Sequence, residues 1–185
     1  MARRYELVVF DWDGTLIDSA GTIAHALQAA ARDIGVEPPS DAVARHIIGL
    51  GLGDALRHAL PNLPESSYGV LSERYRHHYL DRAEALELFD GVVELLDDLA
   101  AAQMPLAIAT GKSRAGLDQA LKLSGIGHRF LASRCADECH SKPHPQMLDE
   151  LMDEFGVTPQ QVVMIGDTSH DLNMARNAGV DGVAV

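Results

Sequence analysis

The chain is expected to fold as a three-layer, Rossmann-like α/β core, a parallel sheet flanked by helices, with an all-helical cap inserted after the first strand. Three observations predict this. From residue 90 onward short apolar runs alternate with helix-period segments, the rhythm of right-handed β-α-β crossovers. Residues 18–88 carry helical periodicity and no strand signal, although strand-bearing stretches flank them. The run Leu7-Val8-Val9-Phe10 reads as a buried strand and breaks directly into Asp11-Trp12-Asp13-Gly14-Thr15. The expected division is a core of 1–17 with 89–185 and a cap of 18–88.

After the first loop, Asp18 or Ser19 is placed to cap a helix carrying Ile23, Leu27, Ala30 and Ile34, which Gly35 ends. Beyond Pro38-Pro39 come a short helical segment at 42–47, a glycine-punctuated stretch at 49–53 and a helix over 54–60. Pro61 and Pro64 interrupt again, and Tyr68, Leu71, Tyr75 and Tyr79 mark a helix to about residue 85. In the second half Val92, Leu95, Leu96 and Leu99 mark a helix, 105–109 a strand, and Leu117 and Leu121 a helix closed by Gly125. A short strand follows at 130–133, and Pro145 opens a helix carrying Leu148, Leu151, Met152 and Phe155. Residues 162–165 are a strand, 172–178 a helix stopped by Gly179, and 182–185 the start of a last strand. The chain stops inside that apolar run, which implies an exposed sheet edge.

With 185 residues, 46% hydrophobic and 23% charged, the chain can bury a sizeable core as one domain with a modest insertion. Its apolar runs are too short for a membrane helix, and no basic segment precedes a long one. Neither a membrane span nor a signal peptide is expected, and the expected location is cytoplasmic. A formal charge of −12 argues against nucleic-acid or anionic-membrane partners, because counterion-driven binding needs basic patches. An anionic substrate would need local positive charge from a metal ion, a lysine or a helix N-terminus. Cys135, Cys139 and His140 cluster without the second ligand pair of a zinc site, which leaves the cysteines as free thiols.

Residues two apart on a strand share a face, so Asp11 and Asp13 leave the sheet close together, at the end where open α/β sheets bind ligands. Like charges that close need a proton or a cation. Trp12, between them, turns the other way into packing. Three later strand ends each deliver a polar group. Thr110-Gly111-Lys112-Ser113 offers a hydroxyl and an amide-rich turn that suits an anion, or else a plain glycine turn with Ser113 as helix cap. Ser141-Lys142-Pro143-His144-Pro145 fixes a lysine in a stiff loop; alone, such a lysine is simply solvated. Ile165-Gly166-Asp167-Thr168-Ser169-His170-Asp171 again ends an apolar strand in acid, with Asp167 alternatively a helix cap.

Together these stretches stand in the order of the four motifs of the haloacid dehalogenase (HAD) superfamily, and Asp11-Trp12-Asp13-Gly14-Thr15-Leu16 resembles the signature of its phosphatases at every fixed position. The resemblance covers most of the chain, the helical cap included. Ser141-Lys142-Pro143-His144-Pro145 and Ala178-Gly179-Val180 are similar to the phosphoglycolate-phosphatase branch. The resemblance implies Mg²⁺-dependent hydrolysis of a small phosphorylated metabolite, phosphoglycolate foremost, through an aspartyl-phosphate. Asp11 would be the nucleophile and Asp13 the general acid, then base. Mg²⁺ would be held by Asp11, the Asp13 backbone carbonyl and Asp167, with Asp171 anchoring the loop or Lys142. Thr110, Gly111 and Lys142 would hold the phosphoryl oxygens.

The acid at position 13 sets the chain apart from the family's dehalogenases, which lack it, and from P-type ATPases, which carry Thr. It leaves phosphatase or phosphomutase. The resemblance also implies a cap that closes over the site, with Arg45, His46 and the 49–53 loop as candidates for reading the leaving group. Arg45 is the candidate partner of a substrate carboxylate. The resembled family continues past this chain's end with at least one more strand and helix. That keeps a catalytically silent binding module as a rival, beside a sugar-phosphate phosphomutase. Monomer and homodimer both remain open.

Overall fold

In the computed structural model, which describes residues 4–185, five parallel strands form one sheet. They are β1 (Leu7–Phe10), β2 (Leu106–Thr110), β3 (Ala132–Cys135), β4 (Val162–Gly166) and β5 (Asp181–Ala184), paired in the order β3-β2-β1-β4-β5. β1 and β2 are buried along their whole length, which is why both read as unbroken apolar runs rather than alternation. The chain walks outward from β1 to β3 and then returns to the other side of β1 with β4. The topological switch therefore falls between β1 and β4, whose carboxyl ends bear Asp11 and Asp167.

Successive residues of β1 feed opposite layers. Leu7 and Val9 pack with Met147, Leu148 and Leu151 of helix α7 (Gln146–Phe155) and Met174 of α8 (Ser169–Ala178). Val8 and Phe10 pack with Leu96 of α5 (Val92–Ala101), Leu117 of α6 (Arg114–Ser124) and the fully buried Trp12. Between β1 and α5 lie α1 (Ala20–Asp33), α2 (Asp41–His46), α3 (Leu52–Ala59) and α4 (Tyr68–Ala83). These four helices close a third apolar cluster around Leu27, Ala30, Ala44, Ile47, Leu56 and Leu71. The two chain segments leading into and out of this helical unit run side by side. Ile17 pairs antiparallel with Leu88, the Asp18 amide donates to Glu87 O at 3.0 Å, and the Phe89 amide donates to Leu16 O at 3.1 Å.

Several element ends differ from the sequence expectation, each for a local reason. Ser19 stands at the start of α1 but makes no capping bond; its hydroxyl is turned to Asp13. Helix α3 begins at Leu52, so Gly53 lies in its first turn rather than in a loop. β3 starts at Ala132, two residues later than expected, because Phe130 sits edge-on to Phe10 with ring centroids 6.4 Å apart. The apolar run precedes that edge strand, of which only Cys135 is buried. Helix α8 starts at Ser169, capped by Thr168 in a reciprocal box with Asp171, so Asp167 is left free of the capping role. β5 is an edge strand exposed at every residue, as expected. Cys135 and Cys139 are free thiols.

Candidate active site

Asp11, the first residue beyond β1, is fully buried, and Asp167 follows β4. Asp167 can lie across the first loop only because residue 14 is glycine: a Cβ there would stand 2.2 Å from Asp167 Oδ2, and φ is +83°. Asp11, Asp167 and Asp171 each present an oxygen, all within 4.8 Å of one another. Lys142, also buried, donates from Nζ to Asp11 Oδ1 at 2.7 Å and to Asp171 Oδ1 at 2.6 Å. Asp171 Oδ2 accepts from the Thr168 amide at 3.1 Å and from its hydroxyl at 2.6 Å, so both oxygens of Asp171 are occupied. Asp11 Oδ2, by contrast, is buried without a partner.

These contacts divide the charge unevenly. Burial alone would lower Lys142, but Asp11 and Asp171 raise it to about 12, so it stays an ammonium. Burial pulls Asp171 upward, yet Lys142 and Thr168 outweigh it and hold the carboxyl below its usual range. Asp11 carries the remaining desolvation cost: burial pushes it up, with Lys142 pulling against that and Asp171 adding to it. Burial and Asp171 likewise raise Asp167. When all are ionised, Asp11, Asp13, Asp167 and Asp171 carry four negative charges against two positive ones from Lys112 and Lys142, an excess of two. An all-oxygen donor set, an orphaned buried carboxylate oxygen and that deficit fit a hard divalent cation such as Mg²⁺.

The Asp13 carboxylate faces elsewhere. Its Oδ1 accepts from Ser19 Oγ at 2.7 Å and lies 3.1 Å from Lys112 Nζ. Lys112 in turn donates to Tyr79 Oη of α4 at 2.8 Å and sits 4.6 Å from the centre of that ring. Burial would lower Lys112, but Asp13 and the two tyrosines Tyr79 and Tyr75 raise it above its ordinary value. Sequence reasoning did not single out Ser19, Lys112 or Tyr79 for chemistry. The one signal was the position of Lys112, two residues past Thr110 at a strand end.

Thr110 is fully buried, and its hydroxyl oxygen accepts from the Lys112 amide at 3.2 Å. Gly111 lies directly under the helical unit: a Cβ there would stand 2.4 Å from Leu50 O and 2.6 Å from Gly49 O. The Gly51 amide donates to Ser141 Oγ at 2.8 Å, and the His46 carbonyl accepts from His170 Nε2 at 2.9 Å. The 49–51 loop is thus seated on the turns that carry Gly111 and Lys142. Arg45 is not brought to the site. It is exposed on α2 and lies outside the cavity of about 560 Å³ that opens between the helical unit and α6 and is lined by Asp13, Gly111 and Lys112.

Paired aspartates thus stand at the switch point of a parallel sheet, with a buried lysine tying the first to a fourth carboxylate and a helical insertion over them. The chain belongs to the haloacid dehalogenase-like hydrolase family, whose model matches residues 8–185. It is 35% identical over 182 residues to tyrosine-protein kinase PtkA of Mycobacterium tuberculosis, covering 97% of this chain and 62% of that protein. The chain thus spans less than two thirds of that relative's length. It is 30% identical over 187 residues to the phosphoglycolate phosphatase of Agrobacterium fabrum, covering 97% of this chain and 79% of that enzyme. A crystal structure of a predicted phosphoglycolate phosphatase from Haemophilus somnus superposes with a TM-score of 0.86 at 26% identity, over 98% of this chain and 85% of that one. Among the described residues, no helix is long and apolar enough to cross a membrane.

Proposed function

We propose that the protein hydrolyses a small phosphate monoester through a phosphorylated Asp11, with residues 18–88 acting as a cap. The observation that carries this reading is the Lys142 ammonium held between Asp11 and Asp171 while the second Asp11 oxygen stays unpartnered and buried. The lysine orients the carboxylate through one oxygen; one of the two oxygens would bind the metal ion and the other forms the bond to phosphorus. Asp171 acts through Lys142 rather than on the substrate.

Asp11, Asp167 and the Asp13 backbone carbonyl are the proposed Mg²⁺ ligands. The bound ion supplies the positive charge that lets a carboxylate approach a phosphate dianion. Lys142 and the Thr110 hydroxyl steady the phosphoryl oxygens, with the Gly111 turn leaving room for them. Asp13, lining the cavity, gives its proton to the departing alkoxide and then takes one from the attacking water, a contribution of roughly 10²–10⁴ in rate. Ser19 and Lys112 hold the Asp13 carboxylate in one orientation for both transfers.

Phosphoglycolate is the reference ester, because relatives over most of the chain bear that name. The test is release of inorganic phosphate from a panel of small esters, with and without Mg²⁺, by wild type and Asp11→Asn. Release is expected to require the metal and to vanish in the variant. Metal-independent release, or an active Asp11→Asn protein, would overturn the reading.

A further inference from the structure

We infer that the cap cavity is built for a bulky apolar alcohol as the leaving group, so that the substrate is a phosphate monoester of an aryl-bearing or branched aliphatic alcohol. This rests on the hydrolase reading, in which Asp13 protonates the leaving oxygen, because the cavity opens from Asp13. Its volume of about 560 Å³ lies in the range that holds drug-sized ligands, roughly 300–1,000 Å³, and a two-carbon leaving group fills a small part of it.

Most of the wall surface is apolar. Ile23, Ile47 and Leu56 face it from the cap, Tyr75 and Tyr79 stack with centroids 6.0 Å apart, and α6 contributes Ala120 and Leu123. Leu80 on α4 and Leu123 on α6 line it from opposite sides and are 48% and 47% exposed, apolar surface that an apolar occupant would cover. Of the two lining cations, Lys112 is committed to Asp13 and Tyr79, and Arg76 is exposed.

The test uses full-length protein with Mg²⁺ and two readouts. In calorimetry, 2-phenylethylphosphonate is expected to bind roughly tenfold to a hundredfold tighter than ethylphosphonate or phosphonoacetate, as burial of a ring predicts. In turnover, 2-phenylethyl phosphate is expected to exceed ethyl phosphate in kcat/KM by a similar factor, the two leaving alcohols being of like acidity. Leu80→Gln with Leu123→Gln is expected to shrink both ratios. Equal or weaker binding of the phenyl phosphonate overturns the inference whether or not any ester is hydrolysed. Absence of hydrolysis from every ester overturns the hydrolase reading alone.

Discussion

Replacing Lys142 with methionine keeps the reach of the side chain and removes the ammonium that Asp11 and Asp171 share. Lys142 and both carboxylates are almost wholly screened from water, with bonds of 2.7 and 2.6 Å. Removing one partner of so buried a cluster leaves uncompensated charge and costs about 3–5 kcal/mol. For a chain of this size that lowers Tm by roughly 6–20 °C. The measurement is thermal and urea unfolding in metal-free buffer from pH 7.5 down to pH 4. Without a cation beside them, the two carboxyls titrate higher in the folded than in the unfolded protein, so the folded state of the variant binds more protons. Its stability therefore falls as pH rises. The deficit relative to wild type should be greatest at neutral pH and shrink toward pH 4. Adding Asp171→Asn to Lys142→Met should recover part of the loss, because one buried charge goes with it. A neutral-pH loss under about 1 kcal/mol, within the ordinary run of substitutions, would refute the reasoning. So would a loss that does not shrink on acidification.

Two further substitutions probe the surroundings of the site. Gly111→Ala drives a Cβ against the Gly49 and Leu50 carbonyls, so the 49–51 loop must lift. A stability loss of about 1–3 kcal/mol is expected. Steady-state kinetics should show a fall in kcat/KM of up to ~100-fold, the order of effect of displaced catalytic groups. Glu138→Gln tests the tie between α6 and the turn after β3, where Arg114 Nε and Nη2 each reach the Glu138 carboxylate at 2.8 Å. Arg114 lowers the Glu138 pKa below its ordinary 4.5, so the pair's contribution is present above that pH and is lost as pH falls through the folded value. Because Glu138 is 38% exposed, screening limits the pair to about 0.5–1 kcal/mol at pH 7. Denaturant titrations of variant and wild type should converge as pH falls through the folded Glu138 value.

How much of this was readable from sequence follows from which interactions are local. β1 and β4 were legible because strands buried on both faces must be apolar throughout, and the acids that end them stand out against such runs. Gly125 and Gly179 end α6 and α8 with left-handed backbone, a role that glycine advertises. β3 was displaced because an edge strand needs little apolar character, while the neighbouring Phe130 is consumed by a tertiary contact with Phe10. Ser19 read as a helix cap because its rival partner, Asp13, is specified only by the turn that folds the first loop back. Lys112, beyond β2, and Tyr79, on α4, meet across the sheet and the helical unit, and nothing in either local stretch announces the other. Arg45 was chosen for its charge, and the helix that bears it turns that charge outward.

The side-by-side strands at Leu16–Asp18 and Glu87–Phe89 have a consequence for how such a chain can change over time. Entry and exit of the helical unit lie one backbone hydrogen bond apart, so the sheet sees the whole insertion as a single hairpin closure. A shorter or longer insertion can be spliced in at that neck without altering any strand register, since the ends it must meet are already adjacent. The carboxyl end of the sheet and the chamber above it are therefore separately replaceable parts. The residues that reach across, among them Ser19, His46, the 49–51 loop and Tyr79, must be renegotiated when the upper part is exchanged.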